Sequence, residues 1–301
     1  MGERPVEDFL HNMDWVLPLR SDRATPIANG FTWLGYTPFF LMFLPLGYWL
    51  WDRAIFTRLA VLIAITAVVN GWLKDFWQDA RPDPRYWIDN RVEGSPGRPS
   101  GHAQVAVAMW LWLAYEMRRR WAWVAAILIA AGVSLSRLYV GVHDVDDILT
   151  GIAFGLASII LFIWLLGPSF DFWRRLPVLV HMAVLVALVP LLWLVWPPEG
   201  EAGSSFYGHT SVLFLLFGWV AGQTLDYSLA PERGPRPAIW QMVVMAVGGI
   251  AVLFALRWAV ETGGAAAGLP PVANLYLGAA ILGFYMTGLA PMGFRALRLM
   301  K

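Results

Sequence analysis

Nine long apolar runs, separated by short polar connections, dominate the chain. They lie at about 31–51, 56–77, 102–117, 121–141, 146–167, 176–196, 206–226, 238–257 and 274–294. Most are about 20 residues long, which as helix spans the roughly 30 Å hydrocarbon core of a bilayer. Only helices or closed barrels satisfy their backbone in lipid. These runs are too long and too uniformly apolar for barrel strands. The pattern predicts an all-α fold, a polytopic transmembrane helix bundle of about nine spans. Ahead of the first run, residues 5–20 mix Asp8, Asp14 and Arg20 with Phe9, Leu10, Trp15, Val16 and Leu17, which predicts an interfacial amphipathic helix. No internal repeat or soluble insert of domain size interrupts the runs. The expected organisation is a tail over 1–30, a five-span core over 31–167 and a four-span extension over 168–301 packed on that core.

Composition agrees with the pattern. Of 301 residues, 58% are hydrophobic and 14% charged, with a mean hydropathy of +0.56. A soluble domain carries about 25% charged residues. Eighteen tryptophans suit aromatic belts at the membrane interfaces. The net charge of +1 gives no reason to invoke nucleic acid, and the absence of cysteine excludes disulfides, thiolate metal sites and thiol nucleophiles. One set of alternate connections holds Arg53, Arg58, Arg118–Arg120, Arg174, Arg175, Arg233, Arg236, Arg295, Arg298 and Lys301, which is 12 of the 22 cations. The positive-inside rule puts that set in the cytoplasm. The longest polar connection, 78–101, then faces outward.

Three polar clusters stand out. The first is KDFWQDARP, from Lys74 to Pro82, at the outer end of the second span. The second is Pro99-Ser100-Gly101-His102, where the third span starts. The third runs from Ser136 and Arg137 through His143 to Asp147, between the fourth and fifth spans. Counting spans puts all three on one membrane face. Lys74, Arg81 and Arg137 each invite an anion, and arginine matches phosphate oxygens with a rigid fork. Ser100 and Gly101 sit at a helix start, where free N–H groups gather. His143 and Asp147 are four apart, so a carboxylate can orient the imidazole and strengthen its other nitrogen as a nucleophile. His102 supplies a second imidazole for proton transfer. An anion cradle, an activated nucleophile and an acid/base together describe phosphoryl transfer through a covalent intermediate. Taken singly, each piece has a plainer reading: a cation as a snorkelling anchor, Ser-Gly as a helix cap, Asp144 and Asp146 as caps or solvated groups. His11, His181 and His209 match no cluster.

Lys-x6-Arg-Pro, Pro-Ser-Gly-His and Ser-Arg-x5-His-x3-Asp together resemble the three-part signature of the type 2 phosphatidic acid phosphatase superfamily. Glucose-6-phosphatases, sphingosine-1-phosphate phosphatases and vanadium haloperoxidases share that signature. Every fixed position is filled: Lys74, Arg81 and Pro82; Pro99, Ser100, Gly101 and His102; Ser136, Arg137, His143 and Asp147. The resemblance implies that His143 attacks phosphorus, that Asp147 orients it, and that His102 protonates the leaving group and then activates water. It implies that Lys74, Arg81, Ser100, Gly101 and Arg137 hold the phosphoryl oxygens. It also implies that neither metal nor cofactor is required. Nine spans resemble the layout of glucose-6-phosphatases and of the longer sphingosine-1-phosphate phosphatases. The expected protein is an integral membrane phosphatase of the plasma or inner membrane, with its site facing the extracytoplasmic side. Its expected partners are membrane lipids and a lipid phosphate or polyprenyl diphosphate substrate. A lipid-to-lipid phosphotransferase shares the chemistry, and a non-catalytic lipid-binding or transport protein is the alternative from another class. Gly218, Gly222, Gly248, Gly249, Gly278 and Gly283 in the last four spans are expected either to buttress the core or to form a lipid groove or dimer surface.

Overall fold

The computed structural model describes residues 10–92, 94–198, 204–232 and 234–300, and among them there is helix and no strand. The principal helices are α1 (Ala24–Trp33), α2 (Thr37–Leu50), α3 (Arg53–Trp77), α4 (Gly101–Met117), α5 (Arg120–Tyr139), α6 (Val145–Leu166), α7 (Val178–Val195), α8 (Phe206–Leu229), α9 (Ile239–Ala266) and α10 (Pro271–Phe284). A π turn, Tyr285–Leu289, joins α10 to α11 (Ala290–Ala296). Among the described residues, seven helical segments are long and apolar enough to cross a membrane.

The other two of the nine expected spans differ in length. The run at 102–117 is a helix of 17 residues. The run at 31–51 is broken: α1 ends in tight turns, with Gly35 N donating to Thr32 O and Tyr36 N to Trp33 O, and α2 restarts at Thr37 for only 14 residues. Pro38 explains the restart. It disfavours helical backbone in the residue before it, yet it fits the first turn of a new helix. The interfacial helix expected over 5–20 falls partly outside the described residues. Within them Leu10 and His11 are helical, and a 3-10 turn, Asp14–Leu19, which contains Pro18, follows. Met13 and Val16 are buried, whereas Trp15, Leu17 and Leu19 are exposed.

The chain divides into two compact units. The first comprises residues up to Leu41, Ile65–Phe170 and Trp196–Phe206. In it α4 packs against both α5 and α6, and α1 lies along α5. Small residues make this possible: Ala106, Ala130, Ala114, Ala122 and Ala126 are buried along the α4–α5 contact. The α4–α6 crossing is closer still. A Cβ at Gly151 would stand 2.7 Å from Ser100 O, and one at Gly155 would stand 2.7 Å from Gln104 O. The two backbones meet because α6 offers glycine at both places, and this brings the start of α6 against the start of α4.

The second unit comprises Met42–Ala64, Asp171–Val195 and Tyr207–Lys301. Here Gly218 and Gly222 of α8 face the backbone of Ala280 and Phe284, and Gly283 faces Leu215 O. These small residues therefore serve contact between helices. Asp226 is fully buried, 3.2 Å from Arg53 and 2.6 Å from Arg295, with the Tyr48 hydroxyl at 3.0 Å. A lone buried carboxylate would be costly in an apolar bundle, and two guanidinium groups offset that cost.

Candidate active site

Within the first unit three elements converge: the end of α3 with the connection that follows, the start of α4, and the connection from α5 into α6. Lys74 lies in the last turn of α3 and is buried; its ammonium donates to Pro96 O and to Gly97 O at 3.1 Å. Arg81 donates from Nε to Ser95 O at 2.6 Å and from Nη1 to Val142 O at 2.7 Å. The same Nη1 is 3.1 Å from His143 Nε2. Arginine has no acceptor, so Nε2 must accept, and the imidazole proton resides on Nδ1. His143 Nδ1 lies 2.8 Å from Asp147 Oδ2 and donates to it. His143 and Asp147 are 2% and 1% exposed, which removes water as a competing partner.

Asp147 is fixed in turn by the start of its own helix. Asp144 caps α6 and accepts from Asp147 N at 2.9 Å, while Asp147 Oδ2 lies 3.4 Å from Asp144 N, a reciprocal capping box. Asp146 pairs with Arg98 at 2.7 Å. The two aspartates beside His143, Asp144 and Asp146, thus serve as a cap and an ion pair. His11, which matches no sequence cluster, lies 2.7 Å from Asp144 Oδ2, and that hydrogen bond raises its pKa.

Ser100 departs from the plain capping expectation. It stands at the N-cap of α4, but its hydroxyl makes no capping bond and is buried without a partner; its N–H donates to Asp147 O at 2.9 Å. His102 Nε2 and Arg137 Nε and Nη2 are also buried without partners. Unsatisfied buried donors are costly, and a cluster of them marks a place prepared for a polar ligand. Gly101 leaves room for Asn70, since a Cβ there would come 2.9 Å from Asn70 Oδ1. Asn70 is one turn before Lys74; its amide donates to Pro99 O at 3.2 Å and to Gln104 Oε1 at 2.8 Å. A polar residue at i−4 from Lys74 and another inside the third apolar run are signals that could have flagged both.

Arg137 is fully buried and anchored by Nη1 alone, 3.2 Å from Asp89 Oδ2 and 3.3 Å from the Tyr36 hydroxyl. Burial pushes the Asp89 carboxyl up, but hydrogen bonds from Arg91 and the charge of Arg137 outweigh it and hold the group below the usual carboxylate range. Burial likewise holds the His143 imidazole well below its ordinary value, reinforced by the charges of Arg81, Lys74 and Arg137. Burial and neighbouring Arg137 push Arg81 down to about 10, which leaves it charged at neutral pH. The structure therefore gathers all eight residues singled out in the sequence, with a neutral imidazole among cations. Asp89, Tyr36, Asn70 and Gln104 lie outside the three sequence clusters.

Residues 55–171 match the family model described as PAP2 superfamily. Sphingosine-1-phosphate phosphatase 2 of Mus musculus is 31% identical over 148 residues, 46% of this chain and 42% of the mouse protein. Lipid phosphate phosphatase delta of Arabidopsis thaliana is 27% identical over 229 residues, 69% of this chain and 54% of that protein. The matches thus span about half the length of these relatives. The crystal structure of a transmembrane PAP2 type phosphatidylglycerolphosphate phosphatase from Bacillus subtilis aligns with 50% of this chain and 81% of its own, at 24% identity and a TM-score of 0.45. Its apolar helices make the chain an integral membrane protein, and residues 55–171 are similar to the PAP2 superfamily.

Proposed function

We propose that this chain is a membrane phosphatase that hydrolyses a lipid phosphate monoester or diphosphate at the extracytoplasmic surface, through a phosphohistidine and without metal. One observation carries the reading: His143 has Nδ1 committed to Asp147 and Nε2 held as an acceptor by Arg81, inside a shell of buried donors. An incoming phosphoryl group takes Arg81 Nη1 from Nε2 and frees that nitrogen. Nε2 attacks phosphorus, the bond to the leaving oxygen breaks, and His102 gives that oxygen its proton. His102 then takes a proton from water as the water displaces phosphate from His143. Lys74, Arg81, Arg137, Ser100 and the N–H groups at the start of α4 stabilise the charge on the transferring group. The relatives named for sphingosine 1-phosphate and for lipid phosphate support a lipid substrate. The test is phosphate release by detergent-purified protein in chelator across lipid phosphates, polyprenyl diphosphates and glucose 6-phosphate, with His143→Ala as blank. Release above the blank is the expected result, with lipid substrates ahead of the sugar phosphate. Release only on adding magnesium, or equal release by the blank, overturns the proposal.

A further inference from the structure

Tyr36 lies in the break between α1 and α2, outside the residues matched by the family model. It nevertheless touches two members of the site. Its ring meets that of His102 edge to face, with centroids 4.7 Å apart and planes at 84°. Its hydroxyl donates to Asp89 Oδ2 and accepts from Arg137 Nη1 at 3.3 Å. The Arg91 guanidinium covers its ring at 3.9 Å from the centroid, and Arg91 Nε holds Asp89 Oδ1 at 2.8 Å. Next to it, a Cβ at Gly35 would overlap the His102 ring, so the imidazole occupies space that only glycine leaves. The break in the first apolar run therefore forms one wall of the site.

We infer that Tyr36, together with Asp89, is a positioning residue: it orders the acid/base His102 and aims Arg137 at the phosphoryl group. This rests on the phosphatase reading above. Arg137 carries five N–H donors in a rigid fork. Asp89 and the Tyr36 hydroxyl engage only Nη1, so Nε and Nη2 stay together on the unpartnered side of the fork, the pair that suits two oxygens of one phosphoryl group. The ring of Tyr36 does separate work, restricting the His102 imidazole by an edge-to-face contact beside Gly35. Ring and hydroxyl thus serve different steps, and substitutions separate them.

The test compares Tyr36→Phe, Tyr36→Leu and Asp89→Asn with the wild type on one lipid phosphate monoester. The readouts are kcat, KM, inhibition by inorganic phosphate, and thermal midpoint in detergent. Tyr36→Phe keeps the ring and loses the hydroxyl; it is expected to weaken phosphate inhibition about 10-fold, as loss of one hydrogen bond to a charged group does, with kcat within about 2-fold. Asp89→Asn is expected to weaken phosphate inhibition at least as much. Tyr36→Leu is expected to lower kcat 10-fold or more as well, and the contrast with Tyr36→Phe is the rescue that a merely structural role would not give. Should Tyr36→Leu fail to fold, the phosphate inhibition of the other two variants decides. A wild type that releases no phosphate overturns the phosphatase reading and this inference with it. An active wild type whose phosphate inhibition is unchanged in Tyr36→Phe and Asp89→Asn overturns this inference alone.

Discussion

His143 has two ring nitrogens with opposite duties, and its neighbours assign them. Asp147 takes the proton of Nδ1, and Arg81 faces Nε2. Only the neutral imidazole can act as nucleophile, and burial among three cations favours that form. The sign is definite: with the folded pKa depressed, activity survives as pH falls past 6.5 and is lost only lower, when the ring takes a second proton. The acid limb of kcat/KM is therefore expected below pH 6.5, and a limb at or above that value would contradict the assignment of His143. Arg81 gives a second prediction. Its fork braces Ser95 O and Val142 O while reaching Nε2, a geometry that one ammonium cannot reproduce. Arg81→Lys is expected to lose about 10²-fold in kcat/KM and, with the Ser95 and Val142 carbonyls left short of a donor, to lower the thermal midpoint as well. These residues are legible in the sequence because the proposed chemistry demands fixed types at fixed spacings. Asp89 and Tyr36 are not, because an aspartate in a polar connection and a tyrosine near a span end are ordinary in themselves, and only folding brings them to Arg137 and His102.

At the scale of helices, the site depends on how closely α6 approaches α4. Eight of the nine apolar runs locate a helix, and the first is broken; periodicity and length are local properties. The crossing is different, because Gly151 and Gly155 matter only through the carbonyls of Ser100 and Gln104 that they meet. Adding one methyl at Gly151 pushes against backbone, and an overpacked contact costs about 1–3 kcal/mol. The added methyl also shifts Asp147 and His143 relative to Ser100, and displacements near 1 Å cost about 10²-fold in rate. Gly151→Ala is therefore expected to lose activity far beyond its loss of thermal midpoint. Gly248→Ala, where a Cβ meets nothing within 4 Å, serves as the control and is expected to leave both unchanged. Activity equal to wild type in Gly151→Ala would show that the crossing does not set the geometry. The break at Gly35-Tyr36-Thr37-Pro38 was hidden for a related reason: glycine and proline are tolerated within membrane helices, so they did not mark an interruption in an otherwise apolar run.

For the whole molecule, the proposed extracytoplasmic orientation of the site can be tested through the chain itself. It contains no cysteine, so any introduced thiol reports alone. Ile88 is exposed in the connection before α4, which carries Arg81 and Asp89, and Arg119 is exposed just after α4. A helix of 17 residues is about 26 Å long, so two positions beyond its opposite ends belong to opposite membrane faces if α4 crosses. The arginines at 118–120 are among the 12 cations that the positive-inside rule places in the cytoplasm. A membrane-impermeant maleimide applied to intact cells is expected to label Ile88→Cys at once and Arg119→Cys only after permeabilisation. A substrate whose tail remains in the outer leaflet could then reach His143 without its phosphate crossing the membrane. The reverse labelling order would turn the site to the cytoplasm and leave the proposed chemistry standing with a different substrate pool. Equal labelling of both in intact cells would mean that α4 does not cross, and the nine-span layout would fall with it.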